Sequence, residues 1–258
     1  MKRQRANYIV HTPEEIEGIR KAARIAADVR NRMAEMIRPG MSTAEIDELC
    51  GVLISSQGAV SAFKGYRGYP GILCISVNDE VVHGIGSKNK IINVGDVVSL
   101  DIGVNYNGYI GDNATTVCVG GTGDGSVSRL LEGTEKSLYA GIEAALPGNC
   151  IRDISAAVEK VAKQYSLSIV REYVGHGCGV ELHEPPEIPN YVSRSKGPVL
   201  RPGMVLAIEP MLNLGKRNVK TESDGWTVRT CDGSLSAHYE HMILITDSTP
   251  EILTWQKM

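Results

Sequence analysis

Residues 95–101 (GDVVSLD) and 203–209 (GMVLAIE) repeat one pattern, in which a glycine precedes an apolar run that ends in a carboxylate. Such apolar runs are typical of buried strands, and a carboxylate at the end of a buried strand is costly without a partner. If two halves of the chain pack about a pseudo-twofold axis, Asp101 and Glu209 would face each other across it. Two carboxylates brought together in this way need a cation.

The spacing between the two copies, 108 positions, recurs in the segments that precede them. The matching pairs are Pro39-Gly40 with Pro147-Gly148, Glu45-Ile46 with Asp153-Ile154, and Val97 with Val205. One offset across two helices and a strand indicates a duplicated helix–helix–strand unit, unlike the shorter periods of a solenoid. We therefore expect a single domain over residues 1–258, with pseudo-symmetric halves at approximately 12–120 and 121–250. The alternative is that these residues are general punctuation before helices and strands.

Local signals place helices before strands in each half. Thr12, Pro13 and Glu15 form a capping box with proline in the first turn, and Ser42 or Thr43 caps a second helix. The predicted helices cover 12–37, 43–53, 137–145 and 154–165, and the predicted strands cover 72–77, 97–104, 115–119 and stretches from residue 168 onward. The order of helix, helix and strands therefore occurs twice.

The composition is that of an ordinary globular protein. Of the 258 residues, 42% are hydrophobic and 22% are charged, and the formal charge of -3 gives no attraction to nucleic acid. No apolar run approaches the roughly 18 residues of a membrane span, and the basic start leads into a charged helix, unlike a signal peptide. The six cysteines lie far apart without a C-x-x-C pair. We expect a cytoplasmic protein with no membrane contact and no specific nucleic-acid partner.

Residue types that bind metals occur in several short stretches. They are VHG (82–84), DIG (101–103), GDN (111–113), GHG (175–177), HE (183–184), IEP (208–210) and YEH (239–241). Carboxylates with one or two imidazoles suit hard or borderline divalent ions such as Mn, Fe, Co or Zn. Four carboxylates and one histidine would offset most of the charge of two such ions, which could then hold and acidify a bridging water.

Each stretch also has an ordinary structural interpretation. An aspartate beside glycine is usually a turn residue, residues 175–179 could form a mobile loop, and a lone histidine is more often a surface or core residue than a ligand. A zincin helix is excluded at His183, because Pro185 and Pro186 forbid the helix and the second histidine of H-E-x-x-H is missing.

The ordered set of these residues resembles the type I methionine aminopeptidases of peptidase family M24. The phrases that carry the resemblance are NDEVVHGI (78–85), REYVGHGCGVELHEPP (171–186), AIEPM (207–211) and DGWTVRTCDGSLSAHYEH (224–241), and the similarity extends over essentially the whole chain. The resemblance implies the α+β pita-bread (creatinase/aminopeptidase) fold, with pseudo-twofold duplicated halves around a central antiparallel sheet. It also implies removal of the initiator methionine from the N-termini of nascent polypeptides when the second residue is small.

The same resemblance assigns roles to individual residues. The implied ligands of two divalent ions (Co, Mn, Fe or Zn) are Asp101, Asp112, His176, Glu209 and Glu240, with Asp112 and Glu240 bridging the ions around the attacking water or hydroxide. The implied catalytic residues are His83 and His183, which would stabilise the scissile peptide, and Glu209, which could also relay a proton to the leaving amine.

A slot for the methionine side chain is implied at a set of apolar and aromatic positions. They are Tyr66, Tyr69, Cys74, Trp226, Phe63 and Leu182. Two of these positions depart from the bacterial pattern, because Phe63 replaces a common cysteine and Leu182 replaces a common phenylalanine. An exchange of bulk between neighbouring side chains could leave the volume of the slot nearly unchanged while altering its shape.

Two other functions compete with this interpretation. An X-Pro peptidase of the same fold would share the ligands but usually carries an extra N-terminal domain. A non-catalytic module that binds peptides or the ribosome would be expected to lose ligands. The basic loop at residues 215–220 (GKRNVK) could make a transient ribosome contact, although a solvated hairpin is the simpler interpretation. We expect a bacterial-style type I enzyme and a monomer.

Overall fold

The structure, a computed structural model, describes residues 7–121 and 125–255. Within these ranges the α-helices are Pro13–Met36 (α1), Thr43–Ser56 (α2), Gly125–Ala144 (α3) and Ile151–Gln164 (α4). The strands are Val60–Ser61 (β1), Cys74–Val77 (β2), Glu80–Val82 (β3), Val97–Tyr106 (β4), Tyr109–Cys118 (β5), Ser168–Ile169 (β6), Gly175–Gly177 (β7), Glu184–Ile188 (β8), Val205–Ile208 (β9), Met211–Asn213 (β10), Val219–Thr221 (β11), Val228–Thr230 (β12), Ser236–His238 (β13), His241–Leu244 (β14) and Glu251–Ile252 (β15). No helix in the described part of the chain is long and apolar enough to cross a membrane.

Both capping signals of the first half operate as the sequence predicts. The Thr12 hydroxyl accepts from the Glu15 N–H at 3.2 Å, and the Glu15 carboxylate accepts from the Thr12 N–H at 2.8 Å. Ser42, not Thr43, makes the equivalent pair of bonds with Glu45. Each such cap is worth about 1 kcal/mol, which explains why these helices begin where the local sequence predicts.

Helix α3 begins at Gly125, well before its predicted start at residue 137. Leu130 is fully buried in the early turns, and Gly133 packs so closely that an added Cβ would lie 2.7 Å from the side chain of Leu167. Glycine lowers helix propensity by about 1 kcal/mol, so tertiary packing stabilises these turns where the local sequence does not.

Equivalent backbone hydrogen bonds recur in the two halves at the offset of the sequence repeat. The Gly40 N–H donates to the Ile92 carbonyl at 2.8 Å, and the Gly148 N–H donates to the Leu200 carbonyl at 3.0 Å. Both glycines have a φ close to +90°, a region that favours glycine. Further equivalent pairs are Ser42–Ile91 with Cys150–Val199, and Val60–Asn105 with Ser168–Asn213. The duplicated unit is therefore structural, while the exact extent of each half stays a prediction.

The sheets of the two halves differ at a single proline. In the first half β4 runs unbroken, pairing with β5 on one side and with β1 and β2 on the other. In the second half the equivalent strand is divided into β9 and β10 at Glu209-Pro210, because proline has no N–H to donate. Strand β9 belongs to the order β15-β14-β9-β7-β8, and β10 belongs to β13-β10-β6. Glu209 thus lies at a break between two sheets.

A third sheet, in the order β11-β12-β3, joins the two halves directly. Val228 of β12 pairs with Val82 of β3. The Arg229 guanidinium strengthens this junction, since it lies 2.5 Å from a carboxylate oxygen of Asp79 and 2.6 Å from one of Glu80. Strand β3, which precedes His83, is therefore held in place by the second half of the chain.

The segment Gly111-Asp112-Asn113 lies inside strand β5, not in a turn. The predicted strand at 115–119 therefore begins earlier, at Tyr109, and the turn is at Asn107-Gly108. Helix α1 crosses this strand so closely that a Cβ at Gly111 would lie 2.3 Å from the Ala22 carbonyl oxygen. Only glycine permits that approach.

We expect Gly111→Ala to lower the free energy of unfolding by about 1–3 kcal/mol, because the added methyl group forces helix α1 away from β5. Urea denaturation in the presence of a chelator measures this effect without a contribution from metal binding. Gly121→Ala is the matched control, because no atom lies within 4 Å of its added Cβ. Equal losses in the two variants would contradict the proposed contact.

Candidate metal centre and substrate cavity

The two halves meet at a bridge between Ala114 and Glu240. The Glu240 N–H donates to the Ala114 carbonyl at 3.0 Å, and the Ala114 N–H approaches the Glu240 carbonyl at 3.4 Å. Ala114 belongs to β5, two residues after Asp112, so both carboxylates lie on the same side of the junction. The backbone, more than any side-chain contact, therefore sets the distance between these two acids.

Three of the predicted ligands form one compact group. Ligand atoms of Asp112, His176 and Glu240 all lie within 4.8 Å of one another, and all three side chains are buried. The Glu209 Oε1 atom lies 3.4 Å from His176 Nε2. Asp101, on β4, completes the wall of the same cavity. The structure thus brings the five predicted ligands together from both halves.

The carboxylates of this group have few hydrogen-bond donors to balance them. Buried oxygens of Asp101, Asp112 and Glu240 lack a hydrogen-bond partner among the described residues. Burial, followed by repulsion from Glu209, raises the pKa of Asp101 well above its usual range, and burial followed by repulsion from Asp112 does the same for Glu209 and Glu240. Divalent cations would remove both penalties, so these residues fit a metal centre.

His176 is prepared as a neutral ligand. Its Nδ1 lies 2.9 Å from the Gly177 carbonyl oxygen, an arrangement in which Nδ1–H donates and Nε2 keeps its lone pair. That Nε2 faces the carboxylates of Asp112 and Glu209, at 3.9 and 3.4 Å. Burial and the nearby His183 lower the pKa of His176 to about 3, so the ring stays neutral near pH 7.

A cavity of about 260 Å³ adjoins the acidic group and is lined by every residue that the sequence assigns to the site. His83 has a φ of +58°, which is strained for a residue with a side chain, and its ring meets Tyr173 edge to face at 5.2 Å. Burial and His183 lower the pKa of His83 to about 4. His183 Nδ1 lies 2.9 Å from the Tyr66 hydroxyl oxygen, and its ring stacks on Tyr66. Both histidines are positioned by aromatic neighbours.

The other end of the cavity is apolar. Phe63 and Leu182 belong to the same hydrophobic cluster, which also contains Tyr69 and Cys74. The Phe63 ring lies against the backbone of Gly103, where an added Cβ would come within 2.2 Å of it. The two exchanged side chains therefore line the same cavity. Their effect on substrate choice stays a prediction.

The Tyr69 side chain both lines the slot and supports the segment that carries His83. Its hydroxyl oxygen lies 2.8 Å from the Gly84 carbonyl oxygen, immediately after His83. The Gly84 N–H donates to the Ser76 hydroxyl at 3.2 Å. These bonds hold the strained backbone at His83.

Several residues that line the cavity are not predicted from the sequence. They are Arg67, Val82, Tyr173, Val174, Met211 and His238. His238 is buried, with Nε2 3.5 Å from Glu209 Oε2, and burial and His83 lower its pKa to about 3. Strand alternation could have indicated it, because His238 precedes Glu240 by two positions and such residues share a face.

Comparisons with known proteins agree with this geometry. The model of metallopeptidase family M24 matches residues 17–247. The chain is 49% identical over 246 residues to methionine aminopeptidase 1 of Bacillus subtilis, covering 95% of this chain and 98% of that protein. The crystal structure of a methionine aminopeptidase from Thermotoga maritima superposes with a TM-score of 0.93 at 41% identity, covering 96% of this chain and all of that one.

The prolidase from Pyrococcus furiosus is also similar, with a TM-score of 0.77 and 28% identity. The match covers 97% of this chain but only 66% of the prolidase. Together these structural similarities confirm the predicted pita-bread α+β fold with its duplicated halves.

We expect Mn²⁺ to raise the melting temperature of protein from which a chelator has removed the metal. Binding to the folded state stabilises it by about 2.7 kcal/mol at a hundredfold excess of ligand over Kd. Asp112→Asn should lose most of this response, and its metal-free form should melt no lower than the parent, because one buried repulsion is removed. Thermal scans with and without Mn²⁺ measure both effects. Asp247→Asn, at an exposed carboxylate, is the control and should respond like the parent. Identical responses of the two variants would exclude Asp112 from the metal centre.

Proposed function

The chain belongs to the methionine aminopeptidases of metallopeptidase family M24, and we propose on this basis that it removes N-terminal methionine from nascent polypeptides. The observation that carries the proposal is one cavity with two unlike ends. One end holds the buried acids and His176, and the other is apolar, lined by Phe63, Leu182 and Cys74. A metal centre alone would suit any hydrolase, whereas the pair of ends suits an aminopeptidase that selects the first residue.

The metal centre is proposed to hold two divalent ions (Co, Mn, Fe or Zn) on Asp101, Asp112, His176, Glu209 and Glu240. When bound, such ions lower the pKa of a coordinated water and polarise a peptide carbonyl. Asp112 and Glu240 are the proposed shared ligands, because their ligand atoms lie together at the junction of the halves. The number and the identity of the ions are part of this proposal.

The histidines are proposed to bind the peptide group that is cleaved. His83 and His183 line the cavity between the acids and the slot, and burial lowers the pKa of both. Each neutral ring retains one N–H, which can donate to a carbonyl oxygen or hold the amide of the second residue. His183 Nδ1 is next to the Tyr66 hydroxyl, so its Nε2 is left to face the substrate.

Glu209 is the proposed proton carrier. Its carboxylate borders the cavity, 3.4 Å from His176 and 3.5 Å from His238, at the strand break created by Pro210. From this position a carboxylate can take a proton from an attacking water and deliver it to the leaving amine.

Two alternative functions are less well supported. The X-Pro alternative is disfavoured by similarity, because the prolidase superposes with a TM-score of 0.77 at 28% identity and the methionine aminopeptidase from Thermotoga maritima with 0.93 at 41%. A non-catalytic binding module would not need five intact metal-ligand candidates at one point. The relatives at 44–49% identity are named as methionine aminopeptidases, which also disfavours both alternatives.

Location and further partners stay predictions. Cytoplasmic residence and a monomeric state are inferred from the sequence alone. Lys216 and Arg217 are exposed, while Lys220 lies 3.2 Å from the carboxylate of Glu222. A transient ribosome contact of this loop stays a prediction, and a solvated hairpin is the simpler interpretation.

We expect His83→Ala and His183→Ala to lower kcat by about 10² or more while metal content stays normal, because these side chains act on the substrate. Glu240→Ala should instead lose metal, since its carboxylate belongs to the metal group. Steady-state kinetics and metal analysis of the same preparations measure the two effects. Loss of metal from His83→Ala would contradict its assignment.

We expect kcat/KM to fall from Met-Ala-Ser to Leu-Ala-Ser by roughly tenfold to a few hundredfold, because one misfit methylene costs about 1–3 kcal/mol. Glu-Ala-Ser should be nearly unreactive, and Met-Leu-Ser should be slower than Met-Ala-Ser. An Ala-Pro peptide distinguishes a methionine aminopeptidase from an X-Pro peptidase, and we expect that it is not cleaved. Comparable rates for all these peptides would reduce the assignment to a broad aminopeptidase.

A further inference from the structure

Outside the cavity, a buried pair of titratable side chains joins the segment before helix α1 to the first residue of β8. His11 is 5% exposed and Glu184 is 6% exposed. The His11 Nε2 atom lies 3.1 Å from Glu184 Oε2. Burial of titratable groups is costly unless they interact with each other. The proposed function assigns no role to either residue. The pair therefore calls for an explanation of its own.

Glu184 closes the turn that precedes it in sequence. Its second oxygen, Oε1, accepts from the N–H groups of Val180 at 2.8 Å and Glu181 at 2.9 Å. Although burial raises its pKa, the His11 imidazole and these N–H groups together hold the pKa of Glu184 below its usual range. Glu184 is therefore a carboxylate near pH 7, and one side chain fixes both ends of the turn.

His11 is itself fixed by the backbone around it. Its N–H donates to the Gly203 carbonyl at 2.8 Å, and the next residue, Thr12, caps helix α1. The ring packs against Gly179, where an added Cβ would lie 2.9 Å from ring atoms. The Gly179 carbonyl accepts from the Ile110 N–H of β5 at 2.7 Å. The imidazole thus lies between the start of α1, the turn and the central strands.

His183 is the residue immediately before Glu184. The His183 side chain lines the cavity, whereas the Glu184 carboxylate faces His11. The His183 ring lies 4.2 Å, centroid to centroid, from that of His176. A shift of the turn would move His183 relative to the metal centre directly.

We propose that His11 is a positioning residue for His183, acting through Glu184 and the turn 180–184. The inference rests on the proposed role of His183 in binding the scissile peptide. A misplacement of about 1 Å at a reacting group can cost up to about 10² in rate, so the supporting contact should be visible in kcat.

The test is a double-mutant cycle on kcat for Met-Ala-Ser. His11→Ala should lower kcat about tenfold and change KM by less than threefold, with normal metal content. In the His183→Ala background the same substitution should have no further effect. His11→Gln, whose amide can still donate to Glu184, should recover most of kcat.

A structural control separates positioning from general destabilisation. Glu15→Ala removes the return bond of the capping box and the 3.7 Å contact with His11 Nδ1. It should lower the melting temperature while leaving kcat within about twofold. If His11→Ala does not fold, Glu184→Gln provides the same cycle, because it keeps Oε1 for the turn and weakens the contact with His11.

Two outcomes would overturn this inference without contradicting the proposed function. They are an unchanged kcat in His11→Ala, and an equal loss of kcat in the parent and His183→Ala backgrounds. An unchanged kcat in His183→Ala by itself would instead contradict the proposed role of His183, and the inference with it.

Discussion

Mutual repulsion among four buried carboxylates is the constraint on which the rest of this structure depends. Asp101, Asp112, Glu209 and Glu240 repel one another, and burial together with this repulsion raises the pKa of each. The strand register and the Ala114–Glu240 bridge keep the backbones of these acids in place, so the side chains cannot move far apart. The fold therefore makes ionisation of the four acids unfavourable, and either protons or bound cations relieve the repulsion. Affinity for metal and stability of the protein are two aspects of that one arrangement.

The duplication explains how such acids came together, but not why their roles differ. Strand pairing makes Asp112 the partner of Gly103 and His238 the partner of Met211, and these partners occupy equivalent places in the two halves. The same register makes Ala114 equivalent to Glu240. The centre is thus built on a symmetric backbone with unlike side chains at equivalent points. Pro210 adds to the difference, because it ends one strand beside Glu209 and leaves its counterpart near Asp101 continuous.

The parts of this fold that the sequence predicts well are those with local causes. Helix starts follow from capping residues, and the acids at positions 101 and 209 follow from the repeated apolar run before them. The start of β5 has a tertiary cause. Gly111 lies in this strand where helix α1 packs closely against it at Ala22, and only a glycine leaves room for that contact. The contact of His238 with Glu209 also has a tertiary cause, although the spacing of His238 from Glu240 predicts that the two side chains share a face. Sequence patterns report what a segment does alone, whereas these features arise from what packs against it.

The third sheet has a consequence for the order in which the molecule acquires its parts. Strand β3, directly before His83, pairs with β12, which follows it by more than half of the length of the chain. Contacts between such distant segments form late in folding, because the entropy of closing a long loop must be offset first. During synthesis, β12 leaves the ribosome long after β3, so the backbone beside His83 remains without its partner until the last quarter of the chain is available. The backbone beside His83 therefore reaches the pairing described above only after residues 228–230 have left the ribosome.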